Sequence, residues 1–239
     1  MTKRALITGA SGEIGTAICR ALSAMDCEVI LHGRDVARLS QLASEIRQGG
    51  GKAGICSFDV ADPDAARQAL EAELAAGPIQ IVVANAGIHD DAPLAGMSHA
   101  QWRRVIDVSL DGFFNTVQPL LLPMMGTRWG RVIAISSVAG KMGNRGQANY
   151  AAAKAGLHGA IKSLSLELAS RGVTANTVAP GVIATAMSAG QFDEERIRQL
   201  VPMKRAGRPD EVADLVAFLA SEKSGYISGQ LISIDGGLS

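Results

Sequence analysis

Short apolar runs alternate with stretches of helical period along the whole chain. Residues 4–8, 28–31, 53–58, 79–84, 131–136, 174–178 and 231–234 read as strands, most of them nearly unbroken by polar residues. Strands buried on both faces, as in a parallel sheet, have that composition. Between them, residues 14–25, 35–48, 63–76, a long stretch around 101–125, 147–171 and 209–221 are helical candidates. Asp62-Pro63 supplies an N-cap and a first-turn proline, Pro209 opens the last helix the same way, and Gly77-Pro78 closes one. The alternation predicts an α/β fold, a doubly wound parallel sheet of about seven strands with right-handed crossovers and helices on both faces. No repeat, low-complexity tract or linker interrupts it, so residues 1–239 read as a single domain. Residues 181–201 are the least regular part, rich in small residues and then charged at Asp193-Glu194-Glu195-Arg196. A surface excursion and a lid over a substrate both fit that stretch, and a substrate loop is expected around 182–205.

Composition removes several classes of function. The chain has 239 residues, 47% of them hydrophobic, which is ample for one core. Lysine plus arginine equals aspartate plus glutamate at 23 each, without a long block of either sign. Nothing in the charge therefore points to nucleic acid or a membrane surface. The glycine-rich Thr8-Gly9 is reached too soon for a signal peptide, and no apolar run approaches ~20 residues, so a cytoplasmic protein is expected. Cys19, Cys27 and Cys56 lack metal-ligand spacing and read as buried reduced thiols. His32, His89, His99 and His158 show no ligand pattern either, so no metal is expected. Trp102 and Trp129 read as packing residues.

The first strand runs directly into Thr8-Gly9-Ala10-Ser11-Gly12-Glu13-Ile14-Gly15 and then a helix. Glycines there let the backbone turn tightly and approach a pyrophosphate, while the helix N-terminus offers free N–H groups and a positive dipole end. A tight βα turn would look similar, but its place after strand one favours a Rossmann-type dinucleotide site. Strand two ends Leu31-His32-Gly33-Arg34, without the acid that holds the ribose hydroxyls of NAD. A missing acid and an added cation suit the extra phosphate of NADP. A merely solvated Arg34 is the alternative.

Tyr150-Ala-Ala-Ala-Lys154 places a phenol and an ammonium on one face of a helix. A nearby cation favours the phenolate, so the pair predicts a tyrosine with a lowered pKa, usable as a proton donor and acceptor near neutrality. Two tyrosines and seven lysines in 239 residues would produce this spacing by chance in about one chain in seventeen. The spacing gains weight only from its surroundings.

Taken together these residues resemble the short-chain dehydrogenase/reductases over essentially the full length. The matching elements are the turn at Gly9, Ser11, Gly12, Ile14 and Gly15, then Asp59-Val60, Asn85-Ala86-Gly87, Ser137, Tyr150 with Lys154, Pro180-Gly181, and Asp235-Gly236-Gly237. Ser136 through Tyr150, Val178-Ala179-Pro180-Gly181 and Tyr226-Ile227-Ser228-Gly229-Gln230 are most similar to the bacterial 3-oxoacyl-ACP reductases. Gly143 to Gln147, with Arg145, is also similar to the ketoreductases of bacterial aryl-polyene clusters. The resemblance implies that Tyr150 protonates a ketone oxygen as hydride arrives, that Lys154 holds the nicotinamide ribose and lowers the Tyr150 pKa, and that Ser137 orients the substrate oxygen. It implies that Asp59 and Val60 meet the adenine, that Asn85, Ala86 and Gly87 support the cofactor, and that Pro180, Gly181, Val182 and Thr185 meet its nicotinamide side. It further implies Arg128 and Arg171 as docking residues for an acidic acyl carrier, although both could be ordinary solvated arginines. A homotetramer pairing helices near 101–125 and 147–171 is implied as well.

Two positions depart from the family. A catalytic asparagine that helps hold a proton-relaying water is replaced by Ser109, whose single hydroxyl is shorter, so the relay is either rebuilt with another water or weakened. Asn115, six residues on, lies at a different helical angle and does not inherit the role. Gly12-Glu13 stands where many of these reductases have an arginine and then a glycine. The Glu13 charge suits a helix N-terminus but not a phosphate, so it is expected to point to solvent, leaving Arg34, helped by Ser11 and His32, to select NADP. The reading is an NADPH-dependent 3-oxoacyl-ACP reductase of fatty-acid or polyene biosynthesis. A related enzyme acting on an acyl-CoA, sugar alcohol, quinone or steroid is the first alternative. A nucleotide-binding relative without catalysis is the second.

Overall fold

A computed structural model describes residues 2–186 and 193–239, in which the seven apolar runs form one parallel sheet. The strands are β1 (Arg4–Ile7), β2 (Glu28–His32), β3 (Lys52–Cys56), β4 (Ile81–Ala84), β5 (Gly130–Ile135), β6 (Val173–Pro180) and β7 (Leu231–Ile234), in the order β3-β2-β1-β4-β5-β6-β7. Successive side chains of a strand point to opposite faces, and this splits the core in two. Ala5, Ile7, Val29, Leu31, Ile133 and Ile135 pack on one side; Leu6, Ile30, Val82, Val132 and Ala134 pack on the other.

The first side is covered by α1 (Glu13–Ser23), α2 (Val36–Gln48) and α9 (Pro209–Ala220), through Ile18, Leu22, Leu39, Val212 and Val216. The second is covered by α3 (Pro63–Leu74), α5 (Gly112–Gly126) and α7 (Ala148–Leu168), through Leu70, Leu120, Leu157 and Ile161. Each such fully buried aliphatic side chain contributes ~1.5–3 kcal/mol. Punctuation works as the sequence implies: Asp62 accepts from the backbone N–H groups of Asp64 and Ala65, Pro63 is the first helical residue, and Gly77 has φ +127°.

The stretch around 101–125 is not one uniform helix. It divides into α4 (His99–Ile106), a π-helical turn (Asp107–Asp111) and α5. A Cβ on Gly112 would lie 2.8 Å from Val60 Cγ2, so the widened turn brings bare backbone against the loop after β3. Asn115 Nδ2 donates to the Val60 carbonyl at 2.8 Å and fixes the same loop. Two short helices, α6 (Ala139–Met142) and α8 (Glu194–Leu200), carry too little periodicity to be read from sequence. Of the substrate loop expected around 182–205, residues 187–192 lie outside the described residues. Its start is braced by Gly207, which accepts from Ala184 N at 2.9 Å and donates to the Val182 carbonyl at 2.9 Å.

Candidate active site

In a parallel sheet the crevice for a ligand opens at the carboxyl ends of the strands, where the strand order reverses. Here that point lies beyond β1 and β4, and a cavity of about 740 Å³ opens there. It is lined at one end by the glycine turn and Arg34, and at the other by Ser137, Tyr150, Lys154 and the segment from Pro180. Every site residue expected from sequence lines it except Ser109, Arg128 and Arg171.

The turn is built for close backbone approach. Gly9 has φ +66°, and a Cβ on Gly15 would lie 2.2 Å from the Gly9 carbonyl oxygen. The N-cap of α1 is Gly12, which brings no side-chain acceptor, so the first N–H groups of the helix face the cavity uncapped. Asn85 Nδ2 donates to the carbonyls of Thr8 and Gly9, and the Thr8 hydroxyl accepts from the N–H groups of Asn85 and Ala86 at 2.9 Å each. The ends of β1 and β4 are thus tied together beneath the turn. This glycine cradle at an uncapped helix N-terminus fits a dinucleotide pyrophosphate.

At the end of the cavity beyond β2, Arg34 lies 3.9 Å from the Asp59 carboxylate, with both side chains well exposed. His32 was expected to help there. Instead its ring is buried against Phe58, centroid to centroid 4.0 Å, with Nε2 3.2 Å from the Phe58 carbonyl. Burial pushes its pKa down to about 4, so it brings no cation. Glu13 is exposed, as the sequence predicts, and its carboxylate also accepts the Ala186 N–H at 2.6 Å. The cause of that contact is the folding of the segment after β6 across the start of α1.

At the other end, Tyr150 opens α7 and is half-buried. Asn149 Oδ1 accepts the Tyr150 N–H, while its Nδ2 donates to the carbonyls of Asp90 and Gln101. One turn on, Lys154 is buried, with Nζ donating to the Ile135 carbonyl at 2.8 Å and lying 5.7 Å from the centre of the Tyr150 ring. A Cβ on Gly87 would reach within 3.0 Å of that nitrogen, so glycine leaves the ammonium its room. Ser137 Oγ accepts from Ala139 N at 3.1 Å and lines the same cavity as the phenol.

The spacing predicts a phenol with a lowered pKa, and the structure reverses the sign. Burial raises the Tyr150 pKa, the Ser137 hydroxyl opposes that rise, and the Asp91 carboxylate adds to it. Burial pushes Lys154 the other way, down to about 8. At neutral pH the site therefore holds a protonated phenol beside a charged ammonium, an arrangement that can give a proton to an oxygen.

Sequence reasoning missed a polar chain on this side. Asp91 accepts from Gln147 Nε2 at 2.9 Å and lies 3.3 Å from His89 Nδ1, and Gln147 in turn accepts from Asn144. Gln147 stands three residues before Tyr150, but nothing in the sequence pairs it with Asp91. Ser109 sits in the π-helical turn, 3% exposed, and its hydroxyl has no hydrogen-bond partner among the described residues. It borders a cavity of about 10 Å³ with Thr8, Ala84 and Phe113, close to the room of one water. The backbone of Arg128 lies against Gly172, next to Arg171, but both arginines precede β5 and β6 at the far end of the sheet from the cavity.

Residues 9–239 match the family profile described as enoyl-(acyl carrier protein) reductase. The chain is 39% identical over 241 residues, covering 100% of both chains, to the 3-oxoacyl-(acyl-carrier-protein) reductase of Aggregatibacter actinomycetemcomitans. It is 40% identical to the acetoacetyl-CoA reductase of Allochromatium vinosum, covering 100% of this chain and 99% of that one. A crystal structure provisionally named a gluconate dehydrogenase, from Agrobacterium tumefaciens, superposes with a TM-score of 0.94 at 30% identity, over 99% of this chain and 95% of that one. Among the described residues no helix is long and apolar enough to cross a membrane. A full-length likeness to these reductases, on a parallel sheet that ends in this cavity, makes the chain a member of the short-chain dehydrogenase/reductase family, an oxidoreductase that uses a nicotinamide cofactor.

Proposed function

We propose that the protein reduces a 3-oxoacyl thioester to the 3-hydroxyacyl thioester with NADPH, the acyl group being held on an acyl carrier protein of fatty-acid or polyene synthesis. The observation that carries this is the meeting of Ser137, Tyr150 and Lys154 in one cavity with the glycine cradle. When bound, the nicotinamide cofactor supplies the hydride that goes to the ketone carbon. The Ser137 hydroxyl donates to the ketone oxygen and orients it. The Tyr150 phenol, protonated at neutral pH, gives its proton to that oxygen as negative charge develops there. The Lys154 ammonium stabilises the phenolate left behind. Asn85, Ala86 and Gly87 hold the cofactor from β4; Asp59 and Val60 meet the adenine; Pro180, Gly181, Val182 and Thr185 wall the nicotinamide side. The Ser109 hydroxyl, with a water in the small cavity beside it, returns protons toward Lys154. Arg34, freed from the exposed Asp59 contact, takes the extra phosphate of NADPH.

The carrier docks on Arg128 and Arg171. These lie before β5 and β6, at the end of the sheet opposite the cavity of the same protomer, and on this reading the docked acyl group enters a neighbouring copy. A homotetramer provides that neighbour, and the exposed Phe114, Leu122 and Leu166 of α5 and α7 offer apolar faces for it. A cytoplasmic location belongs to the same proposal. The likeness to an acetoacetyl-CoA reductase favours a second reading, in which coenzyme A replaces the carrier.

Cofactor oxidation with a 3-oxoacyl thioester tests the proposal. Activity is expected with NADPH, and Tyr150→Phe should lower turnover by ~10²–10⁴-fold. Arg34→Ala should lessen the preference for NADPH over NADH. If Arg128→Glu with Arg171→Glu slows only the free coenzyme A substrate and spares the carrier-bound one, the docking assignment is wrong. An absence of turnover with any ketone, in a protein that binds the cofactor, would remove the enzymatic reading.

A further inference from the structure

Glu13 stands at the mouth of the nucleotide end, in the first turn of α1, next to N–H groups that the cavity leaves free for an anion. A carboxylate there would oppose a phosphate unless it had other work. The structure gives it some: Oε2 accepts the N–H of Ala186 at 2.6 Å, across 173 residues of sequence. Glu13, Thr185 and Ala186 all line the cavity. The backbone from Val182 to Ala184 is already braced from the other side by Gly207. The Glu13 bond therefore holds the far end of a short wall whose near end is fixed to the sheet.

We propose that Glu13 is a positioning residue for the cofactor: its carboxylate clasps Ala186 and so holds the 182–186 wall over the nicotinamide side of the cavity. This rests on the assignment of that cavity to a nicotinamide cofactor. A wall fixed before binding loses less conformational freedom when the ligand arrives, so the clasp acts on affinity rather than on the proton transfer. The same bond gives the exposed carboxylate a donor partner beside the anion cradle, which helps an acid to be tolerated at that position.

The test uses two variants of the full chain. Glu13→Gln keeps an acceptor oxygen for Ala186; Glu13→Ala removes it. In the free protein, amide hydrogen exchange at Ala186 should speed by on the order of tenfold in Glu13→Ala and stay near the parent rate in Glu13→Gln. Cofactor Kd, from quenching or enhancement of NADPH fluorescence, should rise about three- to tenfold in Glu13→Ala alone, with kcat little changed. Unchanged exchange at Ala186 in Glu13→Ala overturns the proposal, and so does a fall in kcat without a change in Kd. A parent protein that binds neither NADPH nor NADH overturns the cofactor assignment itself, which the first binding measurement shows before any variant is made.

Discussion

Among the described residues, three buried cations divide between the two ends of the sheet, and they are treated differently. At the amino end, Arg4 is 8% exposed and spends its guanidinium on the Glu73 carboxylate, the Glu73 and Gly77 carbonyls and Glu28. Arg131, 2% exposed, donates to the carbonyls of Ser221 and Gly130 and lies 4.2 Å over the Trp129 ring. At the carboxyl end, Lys154 is as deeply buried at 3%, yet its ammonium makes one hydrogen bond, to Ile135, and has no carboxylate partner among the described residues. A lysine has three donors. Burying a cation without saturating it is unfavourable, and the depressed pKa of Lys154 records that penalty. The amino end uses charge to hold the fold. The carboxyl end accepts a loss of stability to keep donors available to a ligand.

Replacing the lysine is the sharpest way to break this comparison. Lys154→Met keeps the volume and removes the charge, so kcat/KM should fall by ~10²–10⁴-fold while the unfolding midpoint stays level or rises. Steady-state kinetics beside thermal unfolding reads both. A variant that loses activity because it unfolds would show that Lys154 is a structural cation after all.

Arg131→Met should do the reverse. It forfeits the Ser221 and Gly130 hydrogen bonds and the stacking on Trp129, a loss of about 2 kcal/mol, and leaves kcat within about twofold because no catalytic group is near. Chemical denaturation gives the stability term. A folded, stable Arg131→Met enzyme with crippled turnover would mean that the two ends are coupled in a way their contacts do not show.

Much of this organisation was legible in the sequence, and the part that was not has a physical reason. The strands were readable because burial on both faces leaves them almost purely apolar, and errors are confined to a residue or two at the ends, as where β3 starts at Lys52 and stops at Cys56. The glycine turn and Tyr150-x-x-x-Lys154 were readable because their chemistry depends on local spacing. The π-helical turn was not: Asp107-Val108-Ser109-Leu110-Asp111 has ordinary helical composition, and what widens it is the approach of Gly112 to Val60. Spacing gave the right pair of residues but the wrong direction for the phenol, since burial is set by the whole fold. The Glu13 contact joins residues far apart in sequence through a loop of no clear pattern. At α8 the sequence carries a start signal without a period: Asp193 followed by two glutamates is an N-cap with acids in the first turn.

The gentlest way to sharpen the comparison is to titrate Lys154 in place, since the saturated arginines cannot lose their protons in the accessible range. With a pKa pushed down to about 8, its ammonium is lost as pH rises through that value, while burial keeps the Tyr150 phenol protonated. The kcat/KM for reduction should therefore fall about tenfold per pH unit above about 8. Stability should move the opposite way. An unfolded lysine keeps its proton to about pH 10.4, so between about 8 and 10.4 the unfolded chain binds more protons and this group's contribution rises with pH. Lys154→Arg keeps its charge throughout, so its profile, at whatever lower level, should stay flat across that window, and its stability should lack that contribution. An alkaline fall that remains at about 8 in Lys154→Arg would assign the titration to another group and leave the spare donors of Lys154 without a role in turnover.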